Sequence, residues 1–320
     1  MSSGICLVVI YNHNFEKNIP IVKRMYSGRF TSVFQVMPFY RGSDPSVIGV
    51  YESSYQYNGY ITQAAHRLVP TDMSQMPSHY VFVADDMVLN PSLNEDNILN
   101  FLKIGVEEAF HPGYWAMTSD ALLKWYWGLS SVVNVCCTSN ACEWKAALPS
   151  VDVARRIFDS KGIDWRKMVS RQDVSRIFGK LKVRFENPYC IQPNDRYEEL
   201  KKLVRDDPSE ERIYPLVRGF SDFFVVPGQA MSDFCHYCGV FAAMRAFVET
   251  AVPTSLVLCC AKVKTLKDCG LQAESGVATN EIREQIFAHY HGNYRELCAG
   301  FPANMLYVHP VKLSKWSHVE

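Results

Sequence analysis

The sequence predicts an α/β protein: a central, mostly parallel sheet flanked by helices, with a helical insertion in the middle of the chain. Three observations carry this. Residues 5–11, "ICLVVIY", are an unbroken apolar run rich in β-branched residues, as in a strand buried on both faces of a parallel sheet. Strand-like and helix-like segments then alternate as far as residue 84, the rhythm of βαβ units. Residues 150–178 keep helical patterning with no strand between.

In chain order, "NHNFEKN" after the first strand is a loop of turn formers, and "IPIVKRMYSGRF" spaces Ile19, Ile21, Val22 and Met25 as one helix face. "TSVFQVMPFY" reads as a second strand, "YNGYITQAAHRLV" as a helix and "HYVFVA" as a third strand. In the middle, Ser170 with Asp173 forms a capping-box pattern, with Asp in the place usually held by Glu or Gln. Two short helices and a turn could belong to a DNA reader, but 33 Lys+Arg against 33 Asp+Glu leave no net charge, which favours a helical insertion and no nucleic-acid partner. "KLKVRFE" alternates Lys180, Lys182 and Arg184 with apolar residues, an amphipathic strand whose basic face suits solvent or, less often, phosphate or a peripheral contact with an anionic membrane surface. "NDRYEELKKLVRDDPSEER" reads as a charged helix and polar loop. "GFSDFFVVP" predicts another strand, and "QAMSDFCHYCGVFAAMRAFVETAV" one long apolar helix, stopped by Pro253, with His236 as a core histidine.

The chain has 320 residues, 48% hydrophobic and 21% charged, an ordinary globular composition. Eleven Cys, with no signal-peptide pattern at the N-terminus, predict free thiols in the cytoplasm. "CHYC" at 235–238 lacks a second close ligand pair and does not predict zinc. There is no run of about 18 apolar residues and no Gly-rich phosphate loop.

The chemistry concentrates where "YVFVADDMVLNP" runs a buried strand into two adjacent carboxylates, Asp85 and Asp86. Like charges side by side repel, and at a strand end they invite a cation. In parallel sheets ligands bind at the carboxyl ends of the strands. The same edge receives Asn12–Asn14, as an Asx-turn or a ligand loop, and Tyr40–Arg41, with Arg41 a surface residue or a phosphate or base contact.

With "LYVHPVKLSKW" at 306–316, the chain resembles the nucleotide-sugar glycosyltransferases of the GT-A fold. "VFVADD" looks like their acidic "DxD" motif in shortened form, with Ala84 in the first position. "HPVKLSKW" is similar to the C-terminal His, Lys and Trp of the glycogenin-like members, without the Pro before Trp, which leaves Lys312 and Lys315 both open. The resemblance covers the first 90 residues and the last 15. It implies a Rossmann-like GT-A sheet and a Mn²⁺ or Mg²⁺ ion held by Asp86, Asp85 and His309. It further implies diphosphate contacts from Lys315 or Lys312, and base or ribose contacts from Asn12 and His13, with Asp85 helping toward the ribose. A nucleotide-diphosphate sugar would be the donor and a glycan or glycolipid the acceptor. Asp222, or else Glu274 or Glu281, would serve the acceptor side as the carboxylate that such chemistry needs. Residues 1–130 would bind the nucleotide sugar, 131–213 form the insertion, and 214–320 bind the acceptor and supply a tail that closes on the donor. A fold that kept binding and lost catalysis, supported by Ala84, and a sugar nucleotidyltransferase, disfavoured by the absence of Gly from "VVIYNHNFEKN", are the competing readings.

Overall fold

The computed structural model describes residues 4–124, 126–137, 144–181, 202, 205, 213–275 and 280–318. The chain opens with strand β1 (Ile5–Ile10), helix α1 (Ile19–Tyr26), β2 (Ser32–Pro38), β3 (Val47–Val50), α2 (Tyr57–Leu68) and β4 (His79–Ala84). A short β5 (Val88–Leu89) and β6 (Glu108–Phe110) follow, then β7 (Trp115–Ala116) and the helices of the middle region, among them α3 (Val151–Ser160) and α4 (Arg171–Leu181). The last third carries β8 (Val217–Arg218), β9 (Phe223–Pro227), α5 (Met231–Ala243), α6 (Val248–Cys259), β10 (Lys262–Lys264), β11 (Gln272–Ser275), α7 (Asn280–His289) and β12 (Met305–His309).

Seven strands form one sheet in the order β10-β6-β9-β4-β1-β2-β3. β1 to β4 run parallel to one another, β9 is antiparallel to β4 and β6, and β10 is parallel to β6. The apolar runs of β1, β4 and β9 are buried on both faces because each face has its own core. Leu7, Val9, Val81, Val83, Phe223 and Val225 face one hydrophobic cluster, while Val8, Ile10, Tyr80, Phe82, Phe224 and Val226 face another. A third cluster joins the middle helices to α6 and β8. A separate three-stranded sheet, β11-β12-β5, lies on the first of these faces.

The α/β class and the mostly parallel sheet agree with the sequence; five details do not. The step from the second strand to the second helix contains an extra strand, β3, whose Gly49 is needed because a Cβ there would stand 2.8 Å from the Tyr40 carbonyl oxygen. The expected long helix is two, α5 and α6, broken where Arg245 adopts a positive φ of 59°. Pro253 sits inside α6 rather than ending it. Proline removes the N–H that would bond the Glu249 carbonyl, and that carbonyl instead accepts from Gly219 N–H at 2.9 Å, a partner from another part of the chain. Residues 180–181 of the expected basic strand belong to α4; its remainder, and nearly all of the charged helix after it, lie outside the described residues. His236 is not the expected core histidine: it is exposed on α5, its Nε2 bonded to the Ala147 carbonyl at 2.7 Å.

The capping box forms as the spacing predicts: Asp173 N–H donates to Ser170 Oγ at 3.1 Å and Ser170 N–H to the Asp173 carboxylate at 3.1 Å. Cys6, Cys235, Cys238, Cys259, Cys260, Cys269 and Cys298 are free thiols. Among the described residues no helix is long and apolar enough to cross a membrane.

Candidate functional site

The parallel strands β1 and β4 both end at one edge of the sheet, and there the strand order reverses: β1 leads outward to β2 and β3, while β4 lies on its other side. Such a reversal opens a crevice at the carboxyl ends of the strands. Asp85 and Asp86 stand in it, at the end of β4. Asp85 N–H donates to the Ile10 carbonyl at 2.9 Å, which ties the acidic turn to the end of β1.

Two further chain segments deliver groups to the same place. Because β9 is antiparallel to β4, its beginning lies beside the end of β4; Ala84 N–H donates to the Asp222 carbonyl at 2.8 Å. Because β12 pairs with β5, two residues beyond the acidic turn, its end returns to that turn; Val311 N–H donates to the Asp86 carbonyl at 2.5 Å. The outcome is a cluster drawn from three distant stretches of chain. His309 Nε2 is 3.2 Å from Asp86 Oδ1 and 3.7 Å from Asp222 Oδ1. The Asp86 and Asp222 side chains keep 31% and 23% of their surface open, whereas His309 is buried. The reach required of Asp86 and His309, which are 223 positions apart, is present in the fold.

Electrostatics follow from this crowding. Burial raises Asp85, the neighbouring Asp86 charge raises it further, and the Asn18 amide (Nδ2 to Oδ2, 3.2 Å) and the Asn12 backbone N–H only partly offset them. Burial likewise raises Asp222; the His309 charge opposes this and the Asp86 charge adds to it. Burial alone would lower His309, but Asp222, Asp86 and Asp85 together outweigh it and push the imidazole up to about 9. The imidazolium is thereby favoured as the local cation beside Asp86 and Asp222.

The remaining expected residues are spread around this centre. Asn12 lines the turn with its Oδ1 buried and without a hydrogen-bond partner. His13 is exposed, with Nδ1 2.9 Å from Ser54 Oγ and its ring edge-on to Tyr55. Asn14 is spent on the Phe39 carbonyl at 2.9 Å. Arg41, Lys312 and Lys315 are exposed. Trp316 is buried edge-on against Phe287, and this anchors the turn that carries the two lysines. The backbone of Glu274 lies in β11 and that of Glu281 in α7, but both side chains fall outside the described part of the structure.

Two residues of the site escape the sequence reading. Asn18, at the start of α1, holds Asp85. Tyr57, the first residue of α2, is buried near all three aspartates, and burial followed by the charges of Asp222, Asp86 and Asp85 raises its phenol well above the usual value. The signal for Tyr57 was the tyrosine-rich "YESSYQYNGY", readable as a ligand-edge loop only once β3 is recognised.

Among the described residues, no three His, Cys, Asp or Glu side chains stand in a ready metal-binding arrangement; His309 and the carboxylates are engaged with one another. The donor set still suits a hard divalent ion. Donors around an octahedral ion at about 2.1 Å are roughly 3 Å apart, close to the spacing seen here, and the excess of carboxylates over imidazole calls for positive charge. No family model and no curated protein sequence matches the chain.

Proposed function

We propose that the chain is a metal-dependent glycosyltransferase of GT-A type, moving a sugar from a nucleotide-diphosphate donor to a glycan or glycolipid acceptor. The observation that supports this best is the convergence of Asp86, Asp222 and His309 from three separate stretches of chain at the switch point of the sheet. The central chemical demand in sugar transfer is the leaving nucleoside diphosphate, which gathers negative charge as the glycosidic bond breaks. A Mn²⁺ or Mg²⁺ ion supplies Lewis-acid stabilisation of that charge when bound. Asp86 and His309 would hold it, with Asp85 turned toward the ribose, where Asn12 leaves an acceptor atom open. Asp222, beside His309, would orient the acceptor hydroxyl and take its proton. Lys312 and Lys315, both exposed in the segment after His309, would supply the diphosphate contact.

A binding protein that has lost catalysis is the second reading. It is favoured by Ala84, whose buried methyl fills the place of the first acidic residue.

The test is thermal stability of the whole chain with nucleoside diphosphates, with and without Mn²⁺. A ligand at 100 times its dissociation constant should stabilise the fold by about 2.7 kcal/mol, and only with the metal present. No shift with any nucleoside diphosphate would sink both readings. A shift without sugar turnover on a panel of sugar nucleotides and acceptors would leave the binding protein.

A further inference from the structure

Buried polar atoms in folded proteins nearly always find a partner, so one left open points to a missing group. Around the crevice several are open: Asn12 Oδ1, Asn18 Oδ1, His309 Nδ1 and the hydroxyl of Tyr57. Tyr57 stands apart from the other three. It is 3% exposed, its ring is packed 6.0 Å from Tyr60 in the cluster on the α2 face of the sheet, and it leads the helix that follows the carboxyl end of β3. It therefore reaches the acidic cluster from the sheet face opposite to His309, whose strand lies on the β12 side.

The order of groups along the crevice says what Tyr57 meets. Asp85 is tied to Asn12 and Asn18 at the β1 end; Asp86 comes next; Asp222 lies beyond, at the start of β9. The Tyr57 ring shares its buried cluster with Phe224 of β9, two residues beyond Asp222, which puts the phenol toward the Asp222 end, and the Asp222 charge acts on it together with those of Asp86 and Asp85. A nucleotide sugar laid along this line, with its ribose at Asn12 and its diphosphate at Asp86, brings the hexose or pentose to Asp222 and Tyr57. We propose that the Tyr57 hydroxyl donates a hydrogen bond to the transferred sugar and so recognises the sugar rather than the nucleotide. This rests on the glycosyltransferase reading above, and the experiment separates the two.

The experiment measures Tyr57→Phe beside the unaltered chain. Affinities are taken by calorimetry with Mn²⁺ for UDP, GDP and ADP, and for UDP-glucose, UDP-galactose, GDP-mannose and ADP-glucose. The substitution keeps the ring and removes only the oxygen. Thermal stability without ligand should stay level or rise, because an unsatisfied buried hydroxyl is lost. The diphosphate should bind within twofold of the unaltered chain, while the matching sugar nucleotide loses about tenfold, the worth of one hydrogen bond. Equal affinity of both proteins for the sugar nucleotide overturns the proposal. So does an equal loss for the bare diphosphate, or a fall in stability without ligand, which would mark a structural hydroxyl. If the unaltered chain binds none of these probes, the glycosyltransferase reading fails and the proposal for Tyr57 falls with it.

Discussion

Asp86 carries the heaviest functional load assigned to any residue, and its neighbours show what should follow from its loss. It shares His309 with Asp222, and its backbone carbonyl, not its side chain, holds Val311. Asp86→Ala therefore removes one of three crowded like charges and leaves the main-chain lacing intact. The expected outcome is a folded protein, with a melting temperature within a few degrees of the unaltered chain, that no longer shows a Mn²⁺-dependent shift with nucleoside diphosphates. Full retention of that shift would remove Asp86 from the metal site. Residues of this kind were legible in the sequence because their chemistry breaks a pattern. Two carboxylates after a buried strand, and a His after a second strand, are local anomalies. Asn18 and Tyr57 break nothing: an Asn before a helix and a Tyr within one are ordinary, and only the fold reveals that Asn18 bonds Asp85 and that Tyr57 is buried within reach of the aspartate charges.

At the scale of elements, the outer edge of the sheet supplies a test of how its strands are held. Glu108 begins β6 and bridges Lys262 and Lys264 of β10 at 2.9 and 3.0 Å. It also accepts the Gly105 N–H at 2.9 Å. Burial works against its charge, yet the Gly105 N–H and the two ammonium groups win and hold the carboxyl down to about 2, from an ordinary 4.5. A depressed carboxyl stabilises the fold above its unfolded value and loses that contribution as pH falls from about 4.5 toward 2. Glu108→Gln should cost on the order of 1 kcal/mol at pH 7, since the pair is partly open to water. Near pH 2 the variant and the unaltered chain should melt together; a constant difference across that range would assign the loss to packing. The sequence located β1, β2, β4, β9 and α2 because each is long and strongly patterned. It missed β3, four residues with a glycine inside, and it fused α5 with α6. The fusion had a physical cause: both helices are apolar nearly all round, so no change of face marks the break at Arg245.

For the whole molecule, the C-terminal segment decides whether the site is an accessory or part of the fold. A tail that merely closes on a donor could be cut away without harm to the rest. In the structure β12 is the middle strand of its sheet, between β11 and β5, and Leu306, Tyr307, Val308, Val311, Leu313 and Trp316 are buried in the core on that face. At about 2 kcal/mol for each buried apolar side chain, these six amount to about 12 kcal/mol. The net stability of a domain is about 5–15 kcal/mol, so the segment is comparable with the whole margin of folding. Removal of residues 306–320 should therefore abolish the cooperative melting transition and leave the chain open to trypsin. His309→Ala should instead keep the transition and lose only the Mn²⁺-dependent nucleotide shift. These two variants separate folding from chemistry within one segment. Should the truncated chain melt cooperatively near the unaltered temperature, β12 would be dispensable to the core, and the meeting of His309 with Asp86 would reflect a mobile tail after all.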